Sequence, residues 1–213
     1  MVKLKQKKLK KYSVILADPP WSYQNWTDAK NGAAKSAYDT LKDSDIINLP
    51  VSNIAKDDSL LFLWCTWPKL DIGFKTLWAW GFDYVTGIHD WVKLNDPDGE
   101  AANRPYCGIG FWVRGGSEPV LLGRRGKGVK RRPRKEVTEL QVHHAPLPKG
   151  PKGKGKHSAK PPELHRKITS LLGEEAIRGN AIELFARNKP PKGWKATGLD
   201  YDGIDIRDFL GGE

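Results

Sequence analysis

Cysteine is scarce. Cys65 and Cys107 are the only two in 213 residues. Two cysteines without paired spacing give neither a zinc signature nor a disulfide framework. Cys65 closes the apolar run Leu60-Leu61-Phe62-Leu63-Trp64, where a thiol packs as a small hydrophobe, and a reducing cytoplasm suits such a chain. Long hydrophobic runs are also missing. The stretch from Tyr12 to Ala17 stops at Asp18, far too short to span a bilayer, and no secretory signal follows the lysine-rich residues 1–11. His143-His144 and His157 have no second ligand pair at zinc spacing, so no metal site is expected. No phosphate-cradling loop is present. Gly108-Ile109-Gly110 runs into Phe111-Trp112 rather than completing a dinucleotide fingerprint. No serine or cysteine sits in a nucleophile elbow. Acidic residues are in deficit, 25 against 36 Lys and Arg, for a formal net charge of +11. That excess favours a polyanionic partner, with nucleic acid first.

What is present reads as one α/β domain over residues 1–213, with a basic leader at 1–11. Ser13-Val14-Ile15-Leu16-Ala17 is a continuous apolar run, the pattern of a central parallel strand covered on both faces. Similar runs lie at Ser59 to Cys65, Pro119 to Leu122 and Ala181 to Ala186, and Phe82 to Leu94 is β-rich. A short helix is expected from Asp43 or Ser44 through Ile47. A second runs from Pro68 to Trp80, with Leu70, Phe74, Leu77 and Trp78 on its buried face. A third follows Pro161-Pro162-Glu163 through Leu172 and ends at Gly173. Strands alternating with helices predict a parallel, doubly wound, Rossmann-like sheet, in which ligands bind beyond the carboxyl ends of the strands. Asp18 and Arg187 each follow a buried strand and so are placed to meet a ligand. Residues 124–159 are dominated by Arg, Lys, Gly and Pro and read as a basic, flexible insertion without a core. Arg124, Arg125, Lys130, Arg131 and Arg132 are its candidate phosphate contacts.

Asp18-Pro19-Pro20-Trp21 carries the chemistry. The exocyclic nitrogen of adenine is a poor nucleophile because its lone pair is delocalised into the ring. Two acceptors aimed at its N–H groups would hold the nitrogen and free that lone pair. The Asp18 carboxylate is one candidate acceptor. The Pro19 carbonyl, left unpaired where the prolines end the strand ladder, is the other. Pro20 stiffens the turn, and Trp21 offers an aromatic face for stacking the base.

With Asp18-Pro19-Pro20-Trp21, five further segments occur in order: Ala37-Tyr38-Asp39-Thr40-Leu41, Leu61-Phe62-Leu63-Trp64, Trp91-Val92-Lys93, His157-Ser158-Ala159-Lys160-Pro161 and Ile182-Glu183-Leu184-Phe185-Ala186-Arg187. On these the chain resembles the messenger-RNA adenosine N6-methyltransferase (MT-A70-like) family, which includes bacterial and phage members that act on DNA. The resemblance implies an S-adenosylmethionine-dependent, circularly permuted methyltransferase fold, with the catalytic motif before the cofactor-binding helix and strand. It implies that Lys160 meets the cofactor's carboxylate, that Arg187, Phe185 and Asp18 border the cofactor, that Tyr38 lies near the substrate base and that Lys93 helps hold the acceptor strand. Glu183 is left structural. The glycine-rich turn that follows the cofactor strand in the wider class is replaced here by Ala186-Arg187-Asn188-Lys189, and the family's terminal polar pair is met only by Leu199-Asp200.

The function expected is methyl transfer to N6 of adenine in DNA, in the cytoplasm of a bacterium or a phage-infected host, by a monomer or dimer. The same reaction on RNA and a non-catalytic nucleic-acid-binding role are the alternatives. Cytosine-N4 transfer uses the same geometry, usually with serine in place of the aspartate, so Asp18 favours adenine.

Overall fold

A computed structural model describes residues 9–22, 40–95, 104–108, 112–148 and 159–211. Its elements in chain order are β1 (Tyr12–Ala17), α1 (Asp43–Ile47), β2 (Ala55–Trp64), α2 (Leu70–Ala79), β3 (Asp83–Leu94), β4 (Ser117–Arg125), β5 (Val142–Pro146), α3 (Glu163–Leu172), α4 (Glu174–Ile177), β6 (Ala181–Leu184), β7 (Trp194–Thr197) and α5 (Ile206–Leu210). The strands form one sheet in the order β5-β3-β4-β2-β1-β6-β7.

β1 lies deep in that sheet because its stretch from Val14 to Ala17 carries no polar side chain. Side chains alternate across a strand, and both sides of β1 are apolar. Ile15 and Ala17 join Leu61, Leu63, Leu77, Trp80 and Ile182 in one cluster, while Val14 and Leu16 join Phe62, Trp64, Trp91, Leu164 and Ile168 in the other. α3 covers the second face through Leu164, Ile168 and Leu172, four residues apart on one helical stripe. Its observed limits, Glu163 and Leu172, agree with the sequence reading.

Several expectations are corrected. The sheet is mixed rather than parallel. β1 pairs in parallel with β2 and β6, and β6 with β7, but β4 runs antiparallel to both β2 and β3. An antiparallel pair needs no crossover helix, so β3 and β4 can be neighbours in both chain and sheet. Of the expected insertion at 124–159, residues 149–158 lie outside the described residues, and the described part, 124–148 and 159, is not featureless. Arg124 and Arg125 end β4, and β5 forms the sheet edge beside β3, anchored by the Trp91 Nε1–H donating to the carbonyl of buried Ala145 at 2.9 Å. In α2 the buried positions are Gly73, Thr76 and Leu77, while Trp78 is 60% exposed. Leu70 and Phe74 pack against the core with Leu77 as expected, and Gly73 lies so close to Cys65 that a Cβ there would meet the sulfur at 2.8 Å. β7 was not anticipated; only Trp194 and Thr197 of its four residues are buried. No helix among the described residues is long and apolar enough to cross a membrane.

Candidate active site

β1 ends where Pro19 and Pro20 withdraw their N–H groups from the ladder. Asp18 is thereby delivered to the carboxyl end of the sheet. Pro20 accepts from the Leu41 N–H at 3.0 Å, and Trp21 bridges to Leu41, which ties the turn to the segment leading into α1. Two expectations for this motif change. The Pro19 carbonyl is not unpaired, because it accepts from the Trp21 N–H at 2.8 Å; a carbonyl has two lone pairs, so one remains for a ligand. Trp21 does not present an open stacking face either. It is buried in the core, and its Nε1–H donates to the Trp64 carbonyl at 3.1 Å. Its ring locks the turn to the end of β2.

With Asp18 the fold assembles a cluster of four charged side chains. Lys160, just ahead of α3, places Nζ 3.0 Å from Asp18 Oδ1 and 3.1 Å from Glu118 Oε2. Glu118, at the start of β4, holds Lys93 Nζ at 2.5 Å through its other oxygen. The Lys160 ammonium also lies 5.5 Å from the centre of the Trp64 ring, and that of Lys93 lies 5.3 Å from the Trp91 ring. All four side chains are less than a fifth exposed. Two cations and two anions cancel, which is what makes such a cluster tolerable away from water.

The protonation preferences follow from this packing. Burial pushes the Asp18 carboxyl above its ordinary value; the Lys160 ammonium opposes that rise and the Glu118 carboxylate adds to it. Burial pushes Glu118 upward too, but Lys160 and Lys93 together outweigh it and hold Glu118 below its ordinary value. Burial disfavours the Lys160 ammonium, yet Asp18 and Glu118 reverse the sign and raise its pKa. The cluster therefore contains a firmly charged lysine and an aspartate with raised proton affinity.

A cavity of about 140 Å³ opens between Asp18 and the segment after β6, lined among others by Lys160, Phe185, Arg187 and Asn188. β1 and β6 are hydrogen-bonded neighbours, so their carboxyl ends lie side by side. Phe185 stands at φ 61°, the left-handed region that side chains seldom adopt. Where a glycine-rich turn was absent from the sequence, this residue makes the turn. Gly198 allows it: a Cβ there would sit 2.6 Å from both the nitrogen and the oxygen of Ala186, whose N–H donates to the Thr197 carbonyl. Strain of this kind persists where the surroundings over-determine it. Arg187 Nη1 lies 3.5 Å from Asp200 Oδ2, so the Leu199-Asp200 pair does contribute a polar group next to the cavity. Glu183, on the cavity wall, meets His165 Nε2 at 3.0 Å.

The structure thus gathers Asp18, Pro19, Lys160, Phe185, Arg187 and Lys93 at one end of the sheet. Tyr38 lies outside the described residues. The basic candidates fall elsewhere. Arg125 is paired in register with Ser59, at the end of β2 away from Trp64. Seven residues of extended strand separate it from Glu118, roughly 23 Å. Arg132 donates its N–H to the Leu171 carbonyl at the far end of α3, and Arg124, Lys130, Arg131 and Arg132 are exposed. The strand ladder, not the charge, decides this placement. Glu118 is the residue the sequence reading missed. Its signal is slight, one acid two positions before the buried Val120-Leu121, and only the antiparallel pairing of β4 with β2 brings it to Lys160.

The donor set suits S-adenosylmethionine. A buried ammonium for a carboxylate, an aromatic wall and a guanidinium for hydroxyls border one cavity.

The chain matches MT-A70 over residues 12–200. It is 31% identical over 208 residues to Type II methyltransferase M.MunI of Mycoplasma sp, covering 90% of this chain and 78% of that protein. It is 31% identical over 206 residues to the N(6)-adenosine-methyltransferase subunit METTL3 of Danio rerio and 30% identical to the METTL3 catalytic subunit of Homo sapiens, each match covering 94% of this chain. It spans 30% of the length of those two METTL3 proteins. Motif order, site geometry and these similarities agree, and the chain belongs to the MT-A70 family.

Proposed function

We propose that this protein transfers a methyl group from S-adenosylmethionine to the exocyclic N6 of adenine in DNA. The observation that carries the reading is the Asp18 carboxylate, fixed at the end of β1 by buried Lys160 and adjoining a cavity that reaches Phe185 and Arg187. Similarity to M.MunI over most of that protein's length supports DNA as the polymer, where the METTL3 matches cover under a third. The cofactor would be held by Lys160 at its carboxylate and by Phe185 and the Arg187–Asp200 pair at its nucleoside, and it supplies an electrophilic sulfonium methyl. The fold order, catalytic turn first and cofactor strand later, fits a circularly permuted methyltransferase.

Asp18 accepts one N–H of the adenine amine, and the remaining lone pair of the Pro19 carbonyl accepts the other. The nitrogen lone pair is then turned out of conjugation and held in line, so that orientation supplies much of the rate. The nitrogen loses a proton as it is methylated, and Asp18, with its proton affinity raised by burial, is placed to receive it. Lys160 keeps Asp18 oriented. Lys93 acts through Glu118 rather than on the base. The exposed cations Arg124, Lys130, Arg131 and Arg132 give sequence-independent phosphate contact at a distance from the chemistry. The whole operates as a single domain in the cytoplasm.

The test is transfer of labelled methyl from S-adenosylmethionine to unmodified DNA and, in parallel, RNA, followed by nucleoside analysis. N6-methyladenine in DNA is the expected product. Label confined to RNA would move the assignment to that polymer, and no methylated base in either would overturn the reading.

A further inference from the structure

A second cavity, of about 230 Å³, lies between α3 and the edge strands β3 and β5, and it shares no lining residue with the cavity beside Asp18. Two of its polar side chains are almost fully buried: His89 of β3 is 2% exposed and Lys167 of α3 is 4% exposed. The Lys167 Nζ lies 3.2 Å from His89 Nδ1, donates to the Gln141 carbonyl at 3.4 Å and donates also to the Leu140 carbonyl. Burial disfavours that ammonium, but three acceptors claim its three protons. His89 therefore accepts at Nδ1. Burial, and then Lys167 and His143, push the His89 pKa down to about 3, so the ring is neutral. A neutral imidazole that accepts at one nitrogen carries its proton on the other. The Nε2–H of His89 is thus a buried donor, and it has no acceptor among the described residues.

Two more buried atoms of the lining lack a hydrogen-bond partner. They are Glu163 Oε2 and His143 Nε2, 4.0 Å apart. That separation is too long for a hydrogen bond and short enough for one interposed nitrogen to reach both. Charge follows the same division. Arg166 and Glu139 pair with one another through hydrogen bonds at 2.9 and 3.4 Å. Lys167 bonds to carbonyls and to His89 rather than to a carboxylate, and Glu163 meets His143 rather than Lys or Arg. The lining is neutral overall, with one cation and one anion each left without an opposite charge. A lone anion would be opposed by Glu163 and a lone cation by Lys167. A ligand carrying both charges satisfies both.

We infer that this cavity binds the zwitterionic head of a free α-amino acid. The ligand carboxylate accepts from the His89 Nε2–H beside the Lys167 charge. The ligand ammonium donates to Glu163 Oε2, with His143 Nε2 within reach as a second acceptor. Leu140 and Val142, also on the lining, favour an apolar side chain. Lys167 has no N–H to spare, so it contributes charge while His89 supplies the directional contact.

The experiment is calorimetric titration of the full chain with L-alanine, L-methionine, sodium acetate and methylamine, for wild type, His89→Phe and Glu163→Gln. One amino acid should bind per chain. Acetate and methylamine, each carrying half of the head, should bind at least about 10-fold more weakly, and each substitution should weaken amino-acid binding by about 10-fold or more, the scale of one lost charge-assisted contact. Glu163 is partly exposed, so Glu163→Gln should keep the wild-type Tm and decides the matter if His89→Phe fails to fold. Three results would each overturn the inference: no binding of either amino acid by wild type up to about 10 mM, acetate binding as tightly as the amino acids, or unaltered affinity in Glu163→Gln. None of these readouts depends on methyl transfer.

Discussion

At the carboxyl end of β1 and β2, Asp18, Lys93, Glu118 and Lys160 lie within 3.1 Å of one another in sequence of contact, and none is more than 19% exposed. At the opposite end, Arg124, Lys127, Lys130, Arg131 and Arg132 point into solvent, and Arg132 is paired with Glu136, its neighbour four residues on. The first end contains two charges of each sign that cancel. The second carries five exposed cations, part of the excess that makes the chain basic. Buried charges are barely screened by salt, whereas exposed ones are screened within about 10 Å at 0.1 M. Net charge therefore locates the end that attracts a polyanion from a distance, and charge pairing locates the end that can orient one amine.

The sharpest break in this comparison comes from Lys160→Met. Removing one member of a buried ion network leaves the others uncompensated, at about 3–5 kcal/mol. In a chain of this size that lowers Tm by roughly 6–20 °C, and S-adenosylmethionine affinity in calorimetry should fall with it. Arg131→Met at the other end should move Tm by no more than about 1 °C. Equal effects at both ends would erase the distinction.

The next effect concerns pH. Asp18 works as a carboxylate, and its pKa is raised by burial and by Glu118. The working fraction therefore grows as pH rises through that raised value, giving an acid limb displaced upward from the ordinary aspartate value. Glu118→Gln removes a negative neighbour, lowers the Asp18 pKa and should shift the limb toward acid in a single-turnover pH profile. A shift toward base would contradict the assigned coupling.

The smallest effect belongs to the basic end. The double charge reversal Lys130→Glu, Arg131→Glu should reduce the slope of log binding constant against log salt by about 2 for long duplex DNA. Transfer to saturating DNA should stay within about twofold. A large loss of turnover would bring these residues back to the site.

Much of this was legible in the sequence, for identifiable reasons. β1 and α3 were readable because their signals are local: an unbroken apolar run stopped by two prolines, and a helical stripe between Pro162 and Gly173. The placement of Asp18 followed from that strand end. Glu118 was illegible because its importance arises from a strand pairing, not from its neighbours. Trp21 was misjudged because a tryptophan has both a stackable ring and an N–H that seeks a buried acceptor, and composition does not say which prevails. The far position of Arg124 and Arg125 is a matter of strand direction: an antiparallel β4 starts at the site and runs away from it. Had β4 been parallel, the same arginines would have ended beside Asp18.

The most direct measurement is single-turnover methyl transfer by Asp18→Asn alongside calorimetric S-adenosylmethionine binding. The substitution keeps the shape of the side chain but removes the negative charge that accepts from the amine. Transfer lower by roughly 10²–10³-fold, the scale for loss of one preorganised polar contact to reacting atoms, with cofactor binding within a few-fold of wild type, is the result expected of a residue that acts on the acceptor nitrogen. Transfer at the wild-type rate would contradict the placement of the chemistry at the end of β1.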